Sequence, residues 1–250
     1  MTAEHGDSSL LSTGGAGFDL SDDSLDSLFS QVVSRACARI GTLASVLLIP
    51  PDITRYHSRA GFLTVIACRE LAKAGIRSTV LPALGTHVPL SADERERMFP
   101  GLDSSLFRVH DWRGGITELG RIEQEWVEAA AKGAVSFDWP VQVNRLLCDG
   151  GFDLIISLGQ VVPHEVIGMA NHTKNLFIGT GGKEAIDKSH FAGAAYGMEK
   201  MMGRVDTPVR AMLDEGIRRF GGKLPPVLYA QTVISARSDT EAEAAGKPGG

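Results

Sequence analysis

The chain contains 250 residues, of which 43% are hydrophobic and 22% are charged, and its formal net charge at pH 7 is −5. A chain of this length can bury one sizeable core, in one large domain or two small ones. The acidic charge balance disfavours a nucleic-acid partner, and no run of sequence approaches the roughly 18 apolar residues that span a membrane. The polar, acidic N-terminus does not resemble a secretory signal, so we expect a cytoplasmic protein.

The two ends of the chain differ in composition from its middle. Residues 1–25 mix glycine, serine and aspartate without periodicity, and residues 238–250 are small and charged. Segments of this kind bury too little apolar surface to fold alone, so we expect a disordered tail at 1–25 and a tail or linker at 238–250. The pattern predicts one folded domain over residues 26–237.

The three cysteines, Cys37, Cys68 and Cys148, lie far apart in the sequence, and each has apolar neighbours. This spacing supports neither a disulfide framework nor a cysteine pair that could bind zinc. Isolated cysteines among apolar residues are usually core residues, so we expect buried free thiols.

Short apolar runs alternate with segments of helical periodicity along the chain. The run at 45–50 is typical of a buried strand, whereas the segment at 59–75 carries apolar residues at helical intervals and ends at Gly75. The alternation predicts an α/β fold, with a Rossmann-like parallel sheet and helices on both of its faces. The predicted strands are 45–50, 77–84, 152–159 and 224–235, and the predicted helices are 59–75, 91–99, 119–133 and 207–222.

Polar residues follow three of the predicted strands. They lie in the segments PPDITR at 50–55, GTH at 85–87 and GQVVPH at 159–164. In open parallel sheets, ligands collect beyond the carboxyl ends of the strands, where these segments would meet on one rim. The sequence therefore predicts a binding site at the C-terminal ends of the strands.

The first of these segments offers groups that suit an anionic ligand. Asp52 can accept hydrogen bonds from hydroxyl groups, Thr54 can hold a phosphate, and the guanidinium of Arg55 can bind a carboxylate through two parallel hydrogen bonds. Pro-Pro-Asp is also an ordinary turn opening, so a turn with surface charges is the alternative.

Two histidines that follow strand ends are candidates for proton transfer. His87 lies in an irregular stretch and His164 follows a proline, and an imidazole can take up and release a proton near neutral pH. On opposite sides of one bound carbon, the pair would supply the two groups that inversion of a stereocentre requires. His57, His110 and His172 are the other candidates.

Lys174 and His190 follow in a region rich in glycine and small polar residues. Lys174 could hold a phosphate, form a covalent adduct or solvate a helix end, and His190 could be a metal ligand. The segment GTGGKEAIDKSH at 179–190 lacks the residue order of a phosphate-binding loop, which disfavours a nucleotide triphosphatase. A zinc hydrolase built on His164, His172 and His190 is a further alternative.

Taken in order, DITR at 52–55, GTH at 85–87, PH at 163–164, Lys174 and the SH that ends at His190 resemble the N-terminal domain of the nickel-dependent lactate racemase family. Each motif is ordinary alone, but five in this order are fairly specific. The resemblance implies a catalytic and cofactor domain whose cofactor is a nickel-pincer nucleotide. In this cofactor, a pyridinium ring carries two sulfur-bearing arms that bind nickel together with a ring carbon.

The resemblance also implies how the cofactor is held. His190 would complete the nickel coordination, and Lys174 would tether one arm of the pincer covalently. Asp52 and Thr54 would help to seat the cofactor, or Asp52 would order Arg55. Proteins that synthesise the cofactor are implied as partners.

For the reaction, the resemblance implies a racemase or epimerase of a lactate-like 2-hydroxy acid. His87 and His164 would serve as paired acid/base groups, and Arg55 would bind the substrate carboxylate. One histidine would withdraw the hydroxyl proton while a hydride passes from the substrate carbon to the pincer ring. The resulting 2-keto acid would accept the hydride again on either face.

Two features leave a second interpretation open. Asn171, His172 and Thr173 stand where the family usually has a glycine-rich stretch before the lysine, and Asn175 follows where a small residue is usual. Family enzymes also carry a C-terminal domain, whereas this sequence ends at Gly250. The alternative is a non-catalytic, cofactor-binding domain or subunit that needs a C-terminal domain or a partner chain.

Overall fold

The computed structural model describes residues 9–15 and 18–234 of the chain. The helices are α1 (Asp22–Ile40), α2 (Ala60–Lys73), α3 (Ala92–Met98), α4 (Gln124–Ala130), α5 (Leu146–Asp149), α6 (Lys183–Tyr196), α7 (Met198–Met201) and α8 (Pro208–Phe220). The strands are β1 (Ser45–Ile49), β2 (Arg77–Val80), β3 (Ile116–Ile122), β4 (Trp139–Asn144), β5 (Leu154–Gln160), β6 (Pro163–His164), β7 (Gly168–Met169) and β8 (Val227–Thr232). Short 3-10 helices cover Ile53–Ser58, Ser104–Leu106 and Gly221–Lys223, and a π-helix covers Asn175–Gly179.

The strands predicted from the sequence form one four-stranded parallel sheet in the order β2-β1-β5-β8. Within it, Val46 of β1 pairs with Ser78 of β2 and Leu154 of β5, and Ser157 of β5 pairs with Tyr229 of β8. Every residue of β1 and β5 is buried. Parallel strands that are covered on both faces are nearly continuous apolar runs, which explains why these strands are visible in the sequence.

Side chains cover both faces of the sheet, as the Rossmann-like prediction requires. Val46 and Leu48 of β1 pack in a core cluster with α1 and α2. Leu47 and Ile49 point to the opposite face and pack in a second cluster with α6, α8 and Trp139 of β4. This alternation along a single strand confirms the predicted α/β architecture with a helical layer on each side.

The prediction of a helix over 119–133 is wrong in its first part. Residues 119–122 belong to strand β3, which pairs antiparallel with β4. Only the second part of that segment is helical, as α4. Leu119 and Ile122 are buried three positions apart, a spacing typical of a helix. In β3 the spacing results from a bulge between Glu118 and Gly120, which shifts the alternation of the strand by one residue and turns both side chains to the core.

Helix α1 begins inside the segment predicted to be a disordered tail. Its first residue is Asp22, before the boundary predicted at 26, and the Oγ of Ser21 caps it by accepting the N–H of Ser24. Serine and aspartate favour helix N-termini as well as polar tails, which explains the difference. The other predicted tail positions at 1–8, 16–17 and 238–250 lie outside the described residues.

The segments predicted to be helical at 59–75, 91–99 and 207–222 form α2, α3 and α8. Helix α8 starts after Thr207, whose side chain accepts the N–H of Arg210, and it has a proline in its first turn. Of the helices in the described part of the chain, none is both long enough and apolar enough to cross a membrane.

All three cysteines are free thiols, but they are not equally buried. Cys68 lies in the core cluster beneath α2, whereas Cys37 and Cys148 are only partly buried. The prediction of buried thiols is therefore confirmed for Cys68 alone.

Candidate active site

A cavity of about 230 Å³ lies at the C-terminal ends of β1, β2 and β5. Its walls come from the 3-10 helix after β1, the loop after β2, the segment after β5, and α6. Parallel strands end at the same edge of a sheet, so segments that are far apart in sequence meet here. The structure brings together every side chain that the sequence predicts for the site: Asp52, Thr54, Arg55, His87, His164, Lys174 and His190.

Asp52 holds His87 in a fixed orientation. The Asp52 carboxylate is buried, and its Oδ1 accepts hydrogen bonds from the N–H and the hydroxyl of Thr54, at 3.1 and 2.5 Å. Its Oδ2 accepts a hydrogen bond from Nδ1 of His87. Because a carboxylate only accepts, the neutral His87 ring carries its proton on Nδ1, and the lone pair of its Nε2 can act as a base. Within the described chain, no hydrogen bond or ion pair joins this carboxylate to the side chain of Arg55, so its visible role is to order His87.

His164 has the opposite arrangement of protons. Its side chain is buried, and its Nδ1 accepts the backbone N–H of Val166 at 3.2 Å, which leaves the proton on Nε2. Burial, together with the positive charge of Lys174, lowers the pKa of His164 to about 4. His164 is therefore neutral at pH 7 and offers an N–H donor, whereas His87 offers an acceptor.

The amine of Lys174 lies in the cavity without a close neutralising partner. Within the described residues it forms no hydrogen bond and no ion pair. Burial, and then the nearby guanidinium of Arg55, lower the pKa of Lys174 from 10.5 to about 8. At pH 7, about a tenth of this amine is therefore unprotonated, far more than for an ordinary lysine, and an unprotonated amine is a nucleophile.

The loop before Lys174 has an unusual backbone conformation. Asn171 and His172 have φ angles of 68° and 57°, in the left-handed region that favours glycine. The backbone therefore adopts the conformation expected of a glycine-rich stretch, although its side chains are larger. Two consecutive residues of this kind are strained, and the surrounding structure must hold them.

Arg210 of α8 holds this loop, although the sequence pattern of α8 predicts a charged, solvated face. Its guanidinium donates to the carbonyl oxygen of Met169 and, at 2.9 Å, to Oγ1 of Thr173. The Arg210 side chain is only 12% exposed. Asp214, one helical turn later, accepts the Thr173 hydroxyl at 3.1 Å. An amphipathic helix carries no sequence signal for a contact with a distant loop, so sequence reasoning misses Arg210.

His190 lies on α6, and one of its ring nitrogens is free to bind a metal ion. Its Nδ1 donates to the carbonyl oxygen of Ile186, 2.7 Å away and one turn earlier, so Nε2 keeps its lone pair. Across residues 9–15 and 18–234, no group of three or more His, Cys, Asp or Glu side chains could hold a metal ion. A metal at His190 would therefore take most of its ligands from a bound cofactor.

The other candidate histidines do not line the cavity. His110 is buried, with its Nδ1 3.0 Å from the side-chain amide of Asn144. His172 stacks on the ring of Tyr229, with the ring centroids 4.1 Å apart, and His57 is exposed at the surface. The zinc site proposed as an alternative includes His172, and the cavity does not assemble it.

Solved structures share this fold. A protein from Thermotoga maritima, determined as a structural-genomics target, is 23% identical with a TM-score of 0.78, over 89% of this chain and 54% of that chain. The lactate racemase apoprotein from Thermoanaerobacterium thermosaccharolyticum is 17% identical with a TM-score of 0.60, over 83% of this chain and 49% of that chain. This chain thus matches about half the length of either protein.

The sequence of residues 24–202 matches the family profile of the lactate racemase N-terminal domain. The matched segment is more than half of the chain, and it contains every residue that the sequence predicts for the site. Among curated proteins, none is significantly similar to this chain. Because this family profile matches more than half of the sequence, the chain belongs to the lactate racemase N-terminal domain family.

Proposed function

We propose that this domain binds a nickel-pincer nucleotide and inverts the stereocentre of a lactate-like 2-hydroxy acid, as a racemase or epimerase. The observation that supports this most directly is the meeting of Arg55, His87, His164, Lys174 and His190 in one cavity. They provide an anion clamp, two imidazoles, an amine and a metal-binding nitrogen, which are the groups that such a reaction requires. Membership of the lactate racemase family supports the same conclusion.

The residues of the cavity fit this cofactor. His190 offers one free imidazole nitrogen, which would hold the nickel ion of the cofactor as its protein ligand. Lys174, with a pKa of about 8, has the nucleophilic character that a covalent link to one arm requires. Thr54 lines the same cavity, where it can contact the nucleotide, and its hydrogen bond to Asp52 fixes its side chain.

The reaction that follows uses the side chains in distinct roles. When bound, the cofactor supplies a pyridinium ring that accepts a hydride from the substrate carbon and returns it. Arg55 binds the substrate carboxylate, and Nε2 of His87 takes the hydroxyl proton while Asp52 stabilises the imidazolium. The Nε2–H of His164 hydrogen-bonds the substrate oxygen, and its ring must release the N–H of Val166 before it can take a proton itself.

Production of the chain together with the proteins that synthesise the cofactor tests this proposal. We expect stoichiometric nickel by metal analysis, an increased intact mass, and interconversion of the lactate enantiomers by chiral chromatography. His190→Ala should lose the nickel, and Lys174→Met should lose the added mass, so the two variants separate coordination from tethering. A chain that carries neither nickel nor added mass would contradict the proposal.

The exposure of His87 favours a second function. Its side chain is 61% exposed, and the chain matches about half the length of the similar solved structures. Hydride chemistry requires exclusion of water, which an open cavity does not provide. In this alternative, the domain binds the cofactor and needs a C-terminal domain or a partner chain for turnover. A cofactor-loaded chain that is inactive until a second polypeptide is added would support it.

A further inference from the structure

Three buried polar atoms near the carboxyl end of β5 have no hydrogen-bond partner within the described residues. They are Oε1 of Gln160 and both Nδ2 and Oδ1 of Asn171. Gln160 is 7% exposed and Asn171 is 2% exposed, and both residues line the cavity. Buried polar groups are nearly always paired, because an unpaired group loses its water without compensation. Unpaired atoms in a cavity wall are therefore groups that a ligand can pair.

The amide of Asn171 is held in place by its surroundings. It packs against Gly159, where an added Cβ atom would lie 3.0 Å from the amide carbon. The backbone of Asn171 is in the left-handed region, and the backbone carbonyl oxygen of Asn171 lies 3.4 Å from the guanidinium of Arg210. A strained residue with an unpaired side chain costs stability, and such residues are concentrated at functional sites.

We propose that Gln160 and Asn171 form a subsite for neutral hydroxyl groups of the bound ligand, an inference that rests on the proposed function of the cavity. Two of the unpaired atoms, Gln160 Oε1 and Asn171 Oδ1, only accept hydrogen bonds, so a carboxylate or phosphate oxygen cannot satisfy them. A metal cation could pair with the two oxygens but not with the third unpaired atom, Asn171 Nδ2, which only donates. A hydroxyl group both donates and accepts, which matches an amide side chain.

Two parts of the expected ligands carry such hydroxyl groups. One is the ribose of a pyridinium nucleotide, and the other is a 2-hydroxy acid with a further hydroxyl at its third carbon. The chemistry is the same in both cases, because each presents adjacent hydroxyl groups to Gln160 and Asn171. Probes that contain only one of the two parts distinguish these sources.

Three single substitutions in the full chain separate this subsite from an ordinary packing role. Gln160→Met removes the unpaired oxygen at nearly constant side-chain length. Asn171→Gly removes the side-chain amide, and glycine adopts the positive φ of this position without strain. Ser157→Ala is the matched control, because Oγ of Ser157 is another unpaired buried atom on β5 that does not line the cavity. We expect Gln160→Met and Ser157→Ala to melt at a higher temperature than the wild type, since each replaces an unpaired polar atom by an apolar one.

Calorimetric titrations with D-glycerate, D-lactate and nicotinamide mononucleotide measure the binding. D-glycerate differs from D-lactate by one hydroxyl group, so a substrate subsite predicts that the wild type binds glycerate about tenfold more tightly. Gln160→Met and Asn171→Gly should lose this preference, whereas Ser157→Ala should keep it. A ribose subsite predicts instead that the Kd of the mononucleotide rises about tenfold in the same two variants.

The proposal is overturned if Gln160→Met and Asn171→Gly keep the wild-type affinities for every probe. It is also overturned if the wild type binds neither glycerate nor the mononucleotide, or if Gln160→Met melts at a lower temperature, which would reveal a structural partner for its oxygen. The proposed function fails on a different measurement, the absence of nickel from the cofactor-loaded chain. The two failures are therefore distinguishable.

Discussion

Lys174→Met is expected to stabilise the protein at neutral pH. Burial in the cavity lowers the pKa of Lys174 from 10.5 to about 8. Because each pH unit of difference between the folded and unfolded pKa corresponds to about 1.4 kcal/mol, the charged amine costs the fold about 3 kcal/mol at pH 7. Methionine has a similar length and no charge, so we expect the free energy of unfolding to rise by up to about 3 kcal/mol.

The stabilisation by Lys174→Met should depend on pH in a defined direction. The folded pKa of Lys174 lies below the unfolded pKa, so the unfolded chain binds more protons between pH 8 and 10.5, and the wild type gains stability as the pH rises through this window. The advantage of the variant is therefore complete below pH 8 and disappears as the pH approaches 10.5. Near pH 9.5, about 1.4 kcal/mol of it should remain.

Urea denaturation at about pH 7 and about pH 9.5 measures both effects. Lys183→Met is the matched control, because Lys183 forms an ion pair with Asp187 on α6 in which the side chains are 65% and 55% exposed. Its free energy of unfolding should change by less than about 0.5 kcal/mol at either pH. If Lys174→Met destabilises the protein at pH 7, or stabilises it equally at both pH values, the buried-charge argument is wrong.

Three further substitutions test other contacts. Asp52→Asn should lower the racemisation rate of the cofactor-loaded protein about a hundredfold, because the amide no longer holds His87 in the tautomer that acts as a base. Chiral chromatography measures the rate, and an unchanged rate would contradict this prediction. Arg210→Met should lower the free energy of unfolding by about 2 kcal/mol in urea denaturation and weaken nickel retention, and an unchanged free energy would show that Arg210 does not hold the loop. Gly159→Ala should lower the melting temperature by crowding the amide of Asn171, and wild-type melting would exclude that contact.

The parallel sheet and the position of the site could be predicted because both depend on local patterns. Buried parallel strands such as β1 are continuous apolar runs, and polar residues that follow them must meet at one edge. The segments after their strands thus point to Asp52, His87 and His164, which line the cavity. The hairpin of β3 and β4 could not be predicted in this way, because the bulge at Leu119 gives a strand the spacing of a helix.

The remaining features of the site depend on contacts that sequence spacing does not reveal. Arg210 contacts a loop far away in sequence, and the positive φ of Asn171 occurs at a residue other than glycine. Which ring nitrogen of His87 or His164 carries the proton depends on a single hydrogen-bond partner in each case. Patterns of residue types show that imidazoles are present, but only the folded chain determines their tautomers.

In the proposed reaction, His87 and His164 would meet the substrate in different tautomers, so the mirror-image forms of a 2-hydroxy acid would encounter unequal groups. Racemisation has an equilibrium constant of unity, and the Haldane relationship then requires the same kcat/KM for both enantiomers. In the proposed reaction, any difference in kcat between the two directions must therefore be matched by the same factor in KM. In that reaction, the hydrogen bond from the backbone N–H of Val166 to His164 is one source of the difference between the two directions.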